Sequence, residues 1–188
     1  MIVHGLLLAA GAGSRMGTPK ALVRDADGEP WLVRAVRAIA DGGCTQVDVV
    51  LGAAADEALP LLEGTGASAV VAADWAAGMS ASLRAGLAAV EATDADAVLV
   101  SLVDLPDVSA AVVGRLLGPG VARDTLRRAS YDGAVGHPVV LGRDHWAGVA
   151  ADAAGDEGAR GYLQAHRADV EIVECGDLAT GRDVDHPA

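Results

Sequence analysis

The sequence predicts an α/β fold: one domain of three α/β/α layers around a Rossmann-like, mostly parallel sheet, with a late antiparallel extension. Three observations carry this. Short apolar runs alternate with amphipathic stretches as far as Leu117, the signature of βαβ units. The first run, Ile2 to Ala9, is hydrophobic without interruption, as a strand covered on both faces must be. After Leu117 the alternation stops, and two strand-like runs follow with only Asp132-Gly133 between them.

The elements follow in order. The first strand runs into Gly11-Ala12-Gly13-Ser14-Arg15-Met16-Gly17-Thr18-Pro19-Lys20. Asp25 to Glu29 is a polar turn, and Pro30 suits the first position of a helix reaching Asp41. Trp31, Leu32, Ala35, Val36 and Ile39 share one face of that helix, and Gly42-Gly43 ends it. Gln46 to Leu51 is a Val-rich strand. A short helix spans Ala54 to Glu63, its regularity limited by Pro60. Ser68 to Ala72 is a strand, Met79 to Ala92 a helix with Ser80 near its start, and Asp96 to Leu102 a strongly apolar strand. A helix over Ser109 to Leu117 has Asp107 or Ser109 as its N-cap. Thr125 to Tyr131 and His137 to Leu141 form a hairpin or sheet extension. Helical stretches follow Arg143 and span Glu157 to His166, and Val170 to Val173 is a late strand. No linker, repeat or low-complexity tract divides residues 1–188, which are read as one domain.

Composition narrows the function. The 188 residues are 52% hydrophobic but lack Phe and are only 3% aromatic, so the core is aliphatic. The formal charge of −12 argues against a general nucleic-acid binder. An anionic ligand then needs a local positive site or a divalent cation. Cys44 and Cys175 show no paired spacing and read as two buried thiols in a reducing compartment. The first apolar run is too short to span a bilayer and lacks the flanks of a signal peptide. The expectation is a soluble, cytoplasmic protein with neither membrane nor nucleic acid as a partner.

The glycine-rich stretch carries the strongest chemical signal. Gly11, Gly13 and Gly17 let the backbone turn sharply and bring its N–H groups close to an anion. Arg15 can fork onto phosphate oxygens, and Lys20 adds a mobile positive charge. The dinucleotide fingerprint is excluded by Met16 where it needs Gly, and the P-loop by Pro19 where it needs Gly before the Lys. A plain strand-to-helix turn is the bland alternative, and it gives Arg15 and Lys20 no reason to converge.

The string Leu8-Ala9-Ala10-Gly11-x-Gly13-Ser14-Arg15-Met16-Gly17-x-x-Lys20 resembles the signature of the MobA-like nucleotidyltransferases. The resemblance implies a fold of the nucleotide-diphospho-sugar transferase type. It also implies a loop that wraps a nucleoside triphosphate through Leu8, Ala9, Ala10, Gly11, Ala12, Gly13, Ser14 and Gly17, with Arg15 and Lys20 neutralising it. Gly78-Met79-Ser80-x-Ser82-Leu83-Arg84-x-Gly86, Gly136-His137-Pro138 and Gly158-Ala159-Arg160-Gly161-Tyr162-Leu163 resemble the molybdenum cofactor cytidylyltransferase branch. That likeness implies CTP as donor and a pterin phosphate as acceptor, with a molybdoenzyme or its maturation chaperone as a partner. GTP with the same chemistry, another acceptor such as a sugar phosphate, and a non-catalytic nucleotide-binding accessory protein are the competing readings. Ala10 stands where guanylyl-transferring relatives carry Gly, which narrows the base pocket toward a pyrimidine. Two departures stand out: Leu105 replaces a Gln or Met common in relatives, and the chain ends at Ala188 without their terminal helix.

Asp104 follows the fourth strand, on the rim where open α/β sheets bind ligands. A carboxylate facing a triphosphate there needs a cation between them, so Asp104 is a Mg²⁺ ligand candidate and is counted catalytic with Lys20 and Arg15. Its bland alternative is a cap for the next helix. Asp183 and Asp185 alternate onto one face of an extended segment, either an exposed acidic tail or, by the family likeness, the other half of the metal site, Asp185 ahead of Asp183. Ser80 and Ser82 open a helix and could bind phosphate or ribose, or could serve as an N-cap. His137 reads equally as an acceptor-pocket or a structural residue, Arg160 as an acceptor contact or a solvated helix residue, and Trp75 as a site or core residue.

Overall fold

The computed structural model describes residues 1–14, 16–118 and 120–184. Seven strands, β1 (Val3–Ala9), β2 (Gln46–Leu51), β3 (Ser68–Val71), β4 (Ala97–Leu102), β5 (Leu126–Tyr131), β6 (Ala134–Gly142) and β7 (Val170–Glu174), form one sheet in the order β3-β2-β1-β4-β6-β5-β7. Every pairing is parallel except those of β6 with β4 and β5. The expected antiparallel extension is therefore one reversed strand inside the sheet, with β5 and β7 parallel beyond it.

Among the described residues six helices cover the sheet: α1 (Trp31–Asp41), α2 (Ala55–Ala58), α3 (Met79–Glu91), α4 (Ala110–Leu117), α5 (Trp146–Asp152) and α6 (Arg160–Ala165). Successive β1 side chains point to opposite faces. Val3, Leu7 and Ala9 join one core with Leu32, Val36 and Ile39 of α1 and Val112, Val113 and Leu116 of α4. Leu6 and Leu8 join the other with Leu83, Leu87 and Val90 of α3, Trp146 of α5 and Leu163 of α6. All seven β1 residues are buried, which is why the run shows no polar alternation. Gly86 lets α3 approach β1 closely, because a Cβ there would lie 2.6 Å from a Leu6 methyl.

Three local expectations are corrected. Pro30 sits at the cap of α1 rather than inside it. Pro60 divides the second helical stretch into one α-turn, Ala55–Ala58, and a 3-10 turn, Leu59–Leu62, because its ring lacks the N–H an α-helix needs. Neither candidate caps α4 with its side chain: Ser109 is the N-cap residue but makes no side-chain cap bond. Asp107 instead accepts hydrogen bonds from the Thr180 N–H and hydroxyl, each at 2.6 Å, and ties the C-terminal segment to the β4–α4 loop.

The β5–β6 hairpin turns at Asp132 (φ +50°) and Gly133 (φ +82°), the left-handed pair a two-residue turn requires. Glu174 at the end of β7 holds this turn. Its carboxylate accepts bonds from the Ser130 hydroxyl at 2.6 Å and from the N–H groups of Gly176 (2.8 Å), Asp132 (2.8 Å) and Gly133 (3.2 Å). The Ser130 bond first, then those backbone donors against a small burial cost, draw its pKa down to about 2. The folded state therefore holds this carboxylate ionised more firmly than the unfolded chain does. That stability is present above the ordinary value of 4.5 and fades as pH falls toward about 2. Thermal melts of wild type and Glu174→Gln between those pH values are expected to converge as the pH drops. A constant gap would reject the linkage.

Candidate active site

Strand order reverses between β1 and β4, since β2 lies on one side of β1 and β4 on the other. A crevice opens at the carboxyl ends of strands at such a point. Leu8 pairs with Leu102, and the Val103 N–H bonds the Leu8 carbonyl at 3.2 Å, so both chains leave the sheet at the same level. The glycine loop and Asp104 thus meet in one cavity of about 400 Å³.

Residues Leu8 to Ser14 line that cavity. Gly13 has φ +63°, and a Cβ there would stand 1.9 Å from the Thr18 carbonyl oxygen. The Gly17 N–H closes the loop onto the Gly13 carbonyl at 2.8 Å, with φ +71° at Gly17. Gly17 itself does not line the cavity. Lys20 opens a 3-10 turn, Lys20–Leu22, and its Nζ lies 2.6 Å from Asp104 Oδ2. Lys20 and Asp104 stand 84 positions apart in sequence, and both side chains are largely buried, at 19% and 15% exposure.

Asp104 Oδ1 is buried and has no hydrogen-bond partner among the described residues. A buried carboxylate oxygen left without a donor carries an unpaid desolvation cost unless a cation completes it. Asp104 lines the cavity, and a carboxylate is a ligand type that hard divalent ions prefer. The described residues contain no cluster of three or more His, Cys, Asp or Glu able to hold a metal by themselves. Asp183 is exposed, and the Val184 N–H bonds the Asp104 carbonyl at 3.0 Å, which brings the C-terminal segment to this rim. Arg15 and Asp185 lie outside the described residues.

The helix after the second loop differs from expectation. Gly78, at φ +105°, precedes α3, and the end of that helix is already occupied. The Met79 N–H donates to Asp156 Oδ1 at 3.2 Å, and the Ser80 N–H donates to the Gly155 carbonyl at 2.9 Å. Ser80 is fully buried and accepts a bond from the Gly158 N–H, so it braces the loop and lies outside the cavity. Ser82 does line the cavity. Trp75 serves both of its readings: it lines the cavity and packs against the α3-side core.

His137 and Arg160 line a separate bay of about 40 Å³, which shares Leu8 and Met79 with the main cavity. Burial first, and then the charge of Arg128, push the His137 pKa down to about 4, so its ring is neutral at pH 7. The sequence reading missed Asp156 and Arg128. Asp156 carries no local signal, because only folding sets it against α3. Arg128 had one: two adjacent arginines in a strand must face opposite sides. Arg127 turns to the α4 side, where it bonds the Leu116 carbonyl and pairs with Glu171 at 2.7 Å, and Arg128 turns to the bay.

A crevice of about 400 Å³, walled by a glycine-rich loop and by a paired lysine and aspartate, lies at the strand ends where open α/β sheets bind ligands. Residues 5–170 match the MobA-like NTP transferase domain, and the chain belongs to that family of nucleotidyltransferases. It is 38% identical to the nicotine blue oxidoreductase of Paenarthrobacter nicotinovorans, an alignment covering 97% of this chain and 92% of that protein. The crystal structure of Rv0371c from Mycobacterium tuberculosis H37Rv superposes with a TM-score of 0.80 at 30% identity, covering 99% and 93% of the two chains. A second structure of Rv0371c, in complex with manganese, gives a TM-score of 0.77 at 27% identity over 98% and 94%. No helix among the described residues is long and apolar enough to cross a membrane.

Proposed function

We propose that this chain transfers CMP from CTP to the phosphate of a pterin acceptor, the molybdenum cofactor, and releases pyrophosphate. One observation carries the reading: Lys20 and Asp104 meet 2.6 Å apart at the mouth of the glycine loop. An acceptor phosphate oxygen attacks the α-phosphorus of the nucleotide. The bond from that phosphorus to the bridging oxygen breaks, and pyrophosphate leaves with the electron pair. The acceptor is already ionised, so no general base is needed. The N–H groups of the cavity-lining stretch Gly11 to Ser14 hold the triphosphate by direct donation, and Gly17 closes the loop behind them. Lys20 exchanges its bond to Asp104 for one to the leaving pyrophosphate and offsets its growing charge. Arg15 has the same task by family likeness.

Asp104, with Asp185 or Asp183, would hold Mg²⁺, which would supply charge neutralisation to the triphosphate. Asp104 Oδ1, without a hydrogen-bond partner among the described residues, supports a cation here, as does the manganese complex of the Mycobacterium tuberculosis relative. The buried Ala10 at the cavity wall supports a small base. The bay with His137 and Arg160 supports an acceptor site beside the nucleotide.

A nucleotide screen by thermal shift, with and without Mg²⁺, tests donor choice. CTP should stabilise the protein well above GTP, and only with metal. A ligand at 100 times its Kd contributes about 2.7 kcal/mol. Equal shifts for all four nucleotides would reject the CTP assignment. Pyrophosphate release with molybdopterin against a sugar phosphate then tests the acceptor.

The relative called nicotine blue oxidoreductase favours a second reading, a redox reaction on an organic substrate. Met16 in place of the fingerprint glycine weighs against a nicotinamide dinucleotide in this loop. Oxidation of NADH or NADPH with a quinone-like dye, without pyrophosphate release from any nucleotide, would establish it.

A further inference from the structure

The arginines of this acidic chain are mostly spoken for. Arg34, Arg37, Arg115, Arg123 and Arg127 each reach a carboxylate. Arg84 and Arg143 bind backbone carbonyls. Arg128 and Arg160 are set apart by where they lie. They share the bay beside the main cavity, and neither forms an ion pair with any described residue. Arg128 donates its Nε to the Gly136 carbonyl at 3.0 Å, which fixes the plane of the guanidinium, and no described residue accepts from its terminal nitrogens.

Glu157 also lines the bay, yet it is exposed and pairs with neither arginine. Burial first, and then the nearby charge of Arg160, weaken the hold of Arg128 on its proton. Two guanidiniums brought together in a chain with 26 acids and no partner between them lack the anion that would offset their repulsion.

We infer that Arg128 and Arg160 form an oxyanion subsite, which anchors a second negatively charged group of the acceptor. This builds on the proposed transfer, in which the acceptor's attacking phosphate sits at the Lys20–Asp104 end. The bay holds only a terminal group, since it encloses about 40 Å³. Its lining runs from Leu8 of β1 and Val100 of β4 through Val139 of β6 to Arg128 of β5, so it adjoins the main cavity along the same sheet face. The acceptor therefore carries a second oxyanionic group besides the attacking phosphate. Neutral His137 adds one ring N–H donor and no charge.

Titration with inorganic phosphate, followed by backbone amide chemical shifts, locates the sites. In wild type, amides of the bay (His137, Gly158) should move with saturation, separately from those of the loop (Gly11, Gly13). Lys20→Ala should leave the bay response intact. Arg160→Gln, at an exposed position where folding is not at stake, should weaken it about tenfold or more, as expected for loss of a charge-assisted donor. Arg128→Lys keeps the charge without the fork and should weaken it as well. Movement of the loop amides alone, or an unchanged bay response in both arginine variants, would overturn the subsite and leave the nucleotide assignment standing. Loop amides that ignore CTP, with the bay response intact, would instead remove the transfer reading.

Discussion

Lys20→Ala and Asp104→Ala are each expected to lose about 10²–10³-fold or more in turnover while the fold survives, the loss typical when one preorganised donor to a developing charge is removed. Positioning and charge neutralisation are the whole of the catalysis in phosphoryl-type transfer, so little else can compensate. The two variants should differ in stability. Lys20→Ala strips the ammonium from Asp104 Oδ2, and Oδ1 already lacks a hydrogen-bond partner among the described residues. A largely buried carboxylate is then left uncompensated, and Tm should fall. Asp104→Asn keeps the shape without the charge, so adding it to Lys20→Ala should restore part of the Tm and none of the turnover. Pyrophosphate release and thermal melting read both effects. Near-normal turnover by either alanine variant would remove that residue from the mechanism.

Gly13→Ala should be the most damaging loop substitution, lowering kcat/KM about 10²-fold, the order expected when bound groups are displaced by about 1 Å. The new methyl would meet the Thr18 carbonyl oxygen at 1.9 Å and its carbon at 2.6 Å. Both are backbone atoms, so the loop can relieve the clash only by changing shape. The glycines beside it are internal controls. Gly17 also has a positive φ, +71°, but a Cβ there meets nothing within 4 Å, so Gly17→Ala costs only the left-handed strain of about 1–2 kcal/mol. Gly11 has neither a positive φ nor a neighbour within 4 Å, and Gly11→Ala should be tolerated structurally. Nucleotide affinity measured across the three variants should fall most for Gly13→Ala. An equal effect at all three would mean that flexibility, rather than the fit against Thr18, is what the loop needs.

The stretches that could be read in advance are those governed by local rules. The apolar run of β1, the glycines of the loop and the Val-rich β2 follow from burial, φ preference and branching at Cβ, and each sits where those rules put it. Asp104 was legible because a strand end in an α/β sheet has a known rim. Asp107 was misread, since nothing beside it in the chain announces Thr180, 73 positions later. The α3 N-terminus was misread for the same reason: Asp156, 77 positions from Met79, occupies it. A local pattern registers an unfilled backbone donor, and the acceptor that fills it arrives by folding.

By itself, then, the amino-acid order determined the alternation of strands and helices, the glycine cradle and its cationic neighbour, because these depend on interactions within a few residues. Tertiary structure alone decided that Lys20 faces Asp104, that Ser80 is a brace, and that Arg128 and Arg160 share a bay. Those are meetings of residues on separate strands, helices and loops, and the side chain that satisfies each polar group is chosen only when the sheet closes.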